Sequence, residues 1–119
     1  MQYMLLVYGV EPSVPLSPEA IQQEIDEYSA FGEEARSRKV MVAVEALHPV
    51  ATATTVRVRD GKTMTTDGPF AETKEVLGGF YILNCKNLDE AIEMAAKIPG
   101  AKQGAIEIRP IVDWSQPQG

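Results

Sequence analysis

Few residues in this chain are equipped for proton transfer. There is one histidine, His48, and histidine is the residue type whose ordinary titration falls nearest neutrality. It stands before Pro49 at the end of a strand-like run, three residues after Glu45. A carboxylate within about 3 Å would let such an imidazole act as a general acid or base. The candidates are Glu45 and Asp67, and Asp67 opens the run Asp67, Gly68, Pro69, Phe70. That run has two open readings. As a turn, the Asp67 side chain bonds backbone N–H groups two residues on, Gly68 takes a positive φ and Pro69 fixes the exit. As a site, the turn holds a carboxylate at the mouth of a cavity, as a general base or a contact for a polar ligand, and Phe70 walls the pocket. Phe70 serves equally as a core or interface anchor.

The other reactive groups are sparse. Tyr8 and Tyr81 sit on apolar runs, where they either present hydroxyls to a cavity or pack in the core. Cys85 is the only cysteine, so no internal disulfide can form, and its place at the end of an apolar strand suits a buried, inert thiol. One histidine and one cysteine exclude multi-cysteine and all-histidine metal cages, leaving only His48 with Glu45 and Asp67 as a conceivable ligand set. No metal or cofactor is expected. Arg57 and Arg59 share one strand face, and Glu107 and Arg109 share another. Turned inward, those faces suit an anionic ligand; turned outward, they protect sheet edges. Lys62, Glu72, Lys74 and Glu75 read as solvated surface.

The elements that must position these residues follow from periodicity. Residues 2–8 alternate with apolar side chains on both faces, which predicts a strand covered twice. Residues 9–16 hold two prolines and a glycine and read as a loop. Ser17 can cap a helix whose first residue is Pro18, with Ile21, Ile25, Tyr28, Phe31 and Ala35 as its apolar stripe, ending near Arg38. Residues 40–44 predict a second strand. Residues 52–59 and 62–66, joined by Asp60-Gly61, predict a β-hairpin with a type I′ turn. Residues 80–85 follow Gly78-Gly79 as another strand. Asn87 can cap a second helix, with Glu90 completing a capping box and Leu88, Ala91, Ile92 and Ala95 buried. Residues 105–112 give the last strand, Ile106 and Ile108 on one side and Glu107 and Arg109 on the other. The order is a split βαβ in duplicate, an α+β ferredoxin-like βαββαβ with an extra hairpin between the halves.

Composition agrees with one domain. The 119 residues are 45% hydrophobic and 24% charged, the balance of an ordinary globular domain, expected over residues 1–112 with a loose polar tail at 113–119. The net charge of −6 and the lack of a Lys/Arg run argue against nucleic acid as a partner. The first residues carry neither the basic flank nor the cleavage site of a signal peptide, and their apolar run is too short for a bilayer, so membrane association is not expected and the cytoplasm is the expected location. Two helices cover one face of such a sheet, yet three strands are apolar on both faces. A second copy is the economical cover, which predicts a homodimer whose sheets face each other around a cavity.

Residues 66–75, Thr-Asp-Gly-Pro-Phe-Ala-Glu-Thr-Lys-Glu, followed by Leu77-Gly78-Gly79-Phe80-Tyr81, closely resemble the signature of the DGPF branch of the YCII-related family. Residues 3–8, 51–57, 88–91 and 106–110 also fit the family's pattern, so the resemblance spans nearly the whole chain. It implies a ferredoxin-like dimeric α/β barrel, while the two-faced apolar sheet and the motif at 67–70 point to a small-molecule ligand in the homodimer's cavity, bound or transformed there. As an alternative it implies a non-enzymatic accessory protein with a sigma factor of the extracytoplasmic-function type as partner. For YCII proteins it also implies a His-Asp pair, the histidine near the start of the first helix and the aspartate just after the second. This chain reads Ser17-Pro18-Glu19-Ala20-Ile21 and Lys97-Ile98-Pro99-Gly100 at those places, so the pair is not inherited. The resemblance brings a fold and no reaction. The candidate site is Asp67 and His48 for chemistry, with Tyr8, Glu45, Gly68, Pro69, Phe70 and Tyr81 as ligand contacts.

Overall fold

The computed structural model describes residues 1–115; the last part of the tail expected to be loose, residues 116–119, lies outside the described residues. In chain order the elements are β1 (Gln2–Gly9), α1 (Pro18–Ser37), β2 (Met41–Ala46), β3 (Thr54–Arg59), β4 (Lys62–Asp67), β5 (Val76–Asn84), α2 (Leu88–Ala96) and β6 (Ala105–Pro110). Single 3-10 turns occupy Val50–Thr52 and Pro99–Lys102. Four strands form an antiparallel sheet in the order β2-β5-β1-β6, while β3 and β4 pair with each other. This is the ferredoxin-like arrangement with a hairpin inserted between its halves.

The helix starts follow local chemistry. Ser17 accepts a hydrogen bond from the Ala20 N–H at 3.1 Å, and Asn87 accepts from the Glu90 N–H at 3.0 Å. Glu90 reaches back one residue further than a capping box requires, to the Lys86 N–H at 2.9 Å. At the hairpin tip, Asp60 (φ 53°) and Gly61 (φ 74°) have the two positive φ angles of a type I′ turn.

Alternation on the strands builds one core. Tyr3 pairs with Leu83, and Leu5 with Tyr81 and Ile108, so these side chains share a face. Phe31 and Ala35 of α1, Ala91, Met94 and Ala95 of α2, and Ile98 bury that face. The opposite face carries Met4, Leu6, Phe80 and Ile82, all only half-buried, with Glu107 beside Leu6 and Arg109 beside Met4. No helix among the described residues lies over it. The molecule is accordingly flat, 49 × 47 × 18 Å, with a radius of gyration of 16.8 Å. A compact chain of this length has about 13 to 14 Å. The uncovered face and the projecting hairpin account for the excess.

Strand β5 begins at Val76, four residues earlier than the glycine pair suggested. The β1–β5 register shifts between Val7 and Tyr8, which leaves Gly78 as an unpaired bulge rather than a loop. Gly79 and Gly104 mark close backbone approaches. A Cβ would lie 2.7 Å from the Glu45 carbonyl oxygen at Gly79, and 2.0 Å from that of Tyr8 at Gly104. The C-terminal end of α1 is tied to α2 by charge. Arg38 meets Glu93 at 3.0 Å, Glu90 at 3.2 Å and Glu34 at 3.5 Å, and Lys97 pairs with Glu34.

Candidate functional site

The apolar stripe of α1 is used unevenly. Phe31 and Ala35 are buried as expected, whereas Ile21 and Ile25 remain 45% and 52% exposed. The first half of the helix does not close on the sheet, and a cleft of about 770 Å³ opens beneath it. Ile21, Ile25 and Tyr28 form its helical wall, the ends of β1, β2 and β5 its floor, and residues 9–12, 47–50 and 100–104 contribute to its rim. Gly100 is placed against Tyr28 so closely that a Cβ would lie 2.9 Å from the phenol oxygen.

Tyr81 stands at the inner end. Its side chain is only 6% exposed, and its ring meets Phe31 edge to face. The hydroxyl makes no hydrogen bond to any described residue. Burial, with the nearby Tyr28 phenol adding, pushes its pKa up to about 12. Tyr28 is raised as well, first by burial and then by the Glu24 carboxylate, against an opposing hydrogen bond from the Gly100 N–H. Glu11 is at the rim, where its carboxylate accepts from the Val50 N–H at 3.4 Å. No lysine or arginine lines the cleft.

Of the expected residues Tyr8, Glu45, His48 and Tyr81 border the cleft, but Glu45, opposite Phe80 in the β2–β5 register, and Tyr8, next to inward-facing Val7, turn their side chains to the uncovered face. His48 is exposed and makes no hydrogen bond or ion pair to Glu45, Asp67 or any other described residue. Asp67, Gly68, Pro69 and Phe70 are not in the lining. They sit at the base of the hairpin, where Gly68 (φ 97°) donates its N–H to the Ala53 carbonyl at 2.7 Å and its own carbonyl accepts from the Thr55 hydroxyl at 2.8 Å. The turn is therefore held by Ala53, Thr55 and the glycine φ. The exposed Asp67 carboxylate bonds no described N–H, unlike the expected turn. Phe70 is 78% exposed and walls nothing within the protomer.

Of the paired charges, Glu107 and Arg109 face the uncovered side of the sheet, while Arg57 and Arg59 lie on the exposed hairpin. Cys85 is buried, which pushes its thiol pKa up and removes it from nucleophilic use. Among the described residues no group of three or more His, Cys, Asp or Glu could hold a metal ion, and no helix is long and apolar enough to cross a membrane. Ile21, Ile25, Glu24 and Glu11 were not expected at a site. The isoleucines have ordinary core spacing, and Glu24 and Tyr28, four apart, look like any half-solvated helix pair.

Comparison with known proteins places this geometry in a lineage. An uncharacterized protein of Rhizobium meliloti (strain 1021) is 38% identical over 118 residues, covering 93% of this chain and 92% of that one. A solved structure of 5-chloro-2-hydroxyhydroquinone dehydrochlorinase from Burkholderia phenoliruptrix AC1100, in complex with 2,5-dihydroxybenzoquinone, is similar with a TM-score of 0.49 and 14% identity over 97% of each chain. The description of the YCII-related domain matches residues 1–115. The chain belongs to the YCII-related family.

Proposed function

We propose that this protein binds a small organic molecule in the cleft beneath α1 and works as a homodimer. The observation that carries the reading is the cleft of about 770 Å³ walled by exposed Ile21 and Ile25. Small-molecule sites commonly enclose about 300 to 1,000 Å³, with mostly apolar walls and a few convergent polar groups. Tyr28, Tyr81 and the rim residue His48 supply such groups, and in this reading His48 exchanges a proton with the ligand. The second copy covers the half-buried strip of Met4, Leu6, Phe80 and Ile82, an apolar band flanked by Glu107 and Arg109 that two-fold symmetry can bring into opposite-charge register. Asp67 and Phe70, exposed at the hairpin base, belong to that subunit contact. No feature of the fold favours the alternative role in sigma-factor signalling.

The test is a thermal-shift screen against a metabolite collection. A ligand that binds the folded state alone raises the apparent Tm. Hits are expected to lose their shift in Ile25→Trp, which fills the cleft from an exposed wall position. Shifts that persist in this variant would place binding elsewhere and overturn the reading.

A further inference from the structure

The fold leaves two strand edges open beside each other in chain order. The hairpin of β3 and β4 pairs with nothing else, and β2 is an outer strand of the four-stranded sheet, so among the described residues no strand receives their outward N–H and carbonyl groups. A two-stranded hairpin alone is marginal in water, and an open edge recruits another strand. The edge of β2 is poorly guarded: from Ala43 to Ala46 it runs without a bulge, a proline or a cation.

The side chains along the two edges alternate in matching order. On β2, Ala43 and Glu45 lie opposite Ile82 and Phe80 and share the uncovered face, while Val44, opposite Tyr81, turns toward α1 and lines the cleft. On the hairpin, Arg57, Arg59, Lys62 and Met64 share one exposed face, and Val56, Val58, Thr63 and Thr65 share the other. If β3 lies beside β2 with its arginines on the Glu45 side, strand alternation puts Val56 and Val58 on the Val44 side, whichever way the strands run. The charges are free for such a match. The Glu45 carboxylate and the Arg57 side chain make no hydrogen bond or ion pair to any described residue, and Arg59 donates only to the adjacent Val58 carbonyl, at 2.9 Å. Within one chain β2 and β3 do not pair. A second copy offers one hairpin and one open β2 edge for each that it needs, which is the reciprocity of a two-fold dimer.

Resting on the homodimer reading above, we infer that the hairpin is an exchange arm: β3 of each protomer adds to the free edge of β2 in its partner. The partner's Arg57 and Arg59 then stand beside Glu45 on the uncovered side of the sheet. The partner's Val56 and Val58 continue the floor of the cleft outward from Val44, on the side where Ile21 and Ile25 are exposed. The cleft is therefore completed by the second subunit, and the exchange removes the β2 edge along with one edge of each hairpin.

Sedimentation velocity on the full-length protein and its charge variants tests the exchange. Arg57→Glu/Arg59→Glu and Glu45→Lys are each expected to weaken the dimer about tenfold or more, because every arm then meets a like charge. An equal mixture of the two variants should recover the wild-type affinity, since each arm in the mixed dimer again faces the opposite sign. Mixing cannot restore a contact made within one chain. Hydrogen exchange gives a second readout: the backbone amides of residues 41–46 and 54–59 should gain protection as the wild type dimerises, and both variants should lose that gain. A wild-type dimer whose affinity is unchanged in either variant, is not recovered in the mixture, or brings no protection to these amides overturns the exchange and leaves the sheet-face contact standing. A wild type that is monomeric at every concentration tested overturns the homodimer reading as well.

Discussion

The rings of Phe31 and Tyr81 meet edge to face, 5.0 Å between centroids at an interplanar angle of 74°. This contact joins α1 to the central strand β5 where the packed half of the helix ends and the cleft begins. Phe31→Ala removes a buried ring from that junction. Phe-to-Ala changes in cores cost about 3 to 5 kcal/mol, and a double-mutant cycle with Tyr81→Leu should return a coupling of about 0.5 to 1.5 kcal/mol beyond area burial. Urea denaturation of the four proteins measures both. Additive single-mutant effects would show that the rings are neighbours without interacting.

Tyr81 should also be visible by its own titration. Its phenol is raised from 10.0 to about 12 in the folded protein, chiefly by burial, so the folded state holds this proton more tightly than the unfolded chain. Its contribution to stability is fully present below pH 10 and is lost as pH rises through about 12. Ultraviolet titration of tyrosinate absorbance should show a latest-ionising phenol that disappears in Tyr81→Phe. Ionisation of every tyrosine together near 10 in the folded state would contradict the packing.

The charge cluster between the helices sets the acid limb. Glu34 is lowered first by its hydrogen bond from Lys97, Glu90 by the Lys86 N–H, and Glu93 by Arg38. Because all three are depressed, their stabilising effect is present above the ordinary glutamate value of 4.5 and is lost as pH falls through the lower folded values. These groups are at the surface, so the effect is modest and fades with salt. Arg38→Met should lower Tm at neutral pH and flatten its decline below pH 4.5, as read from melting curves across the acid range.

A glycine position gives a sharper steric test. A Cβ at Gly104 would lie 2.0 Å from the Tyr8 backbone oxygen. Gly104→Ala therefore forces β6 away from the end of β1, at a cost of about 1 to 3 kcal/mol or more for an overpacked site. Gly9→Ala, where the added methyl meets no atom within 4 Å, is the matched control. Similar denaturation midpoints for the two variants would refute the close approach.

The proposed subunit contact is tested from the uncovered face. Leu6 and Phe80 are opposite one another near its middle. Leu6→Lys should convert a dimer to a monomer in analytical ultracentrifugation while leaving the far-ultraviolet dichroism unchanged, because the substituted side chain points away from the helices. A variant that stays dimeric would place the interface elsewhere.

Much of this architecture can be read before any coordinates. Ser17-Pro18, Asn87 and Asp60-Gly61 act through nearest neighbours, so their caps and turn declare themselves in the sequence. The two-sided apolar character of residues 2–8 likewise announces that the sheet has a second face to cover. The cleft is less legible for a specific reason. Spacing places Ile21 and Ile25 on the same stripe as Phe31, but it does not say how far along the helix the sheet stays in contact. The conspicuous signature at residues 67–70 marks a backbone junction: its glycine and proline report conformation, and its carboxylate, Asp67, is exposed outside the cleft lining. The cleft's polar groups come from helix, strand and loop, and only tertiary structure collects them.

The 2.7 Å bond from Gly68 to Ala53 closes the hairpin at its root, next to strands that pair with nothing else. The intervening residues thus form a cassette: the chain leaves and re-enters at neighbouring points, so exchanging or removing the insert barely alters the loop that connects β2 to β5. One part of the gene can then change in length and charge without disturbing the packed half of the fold.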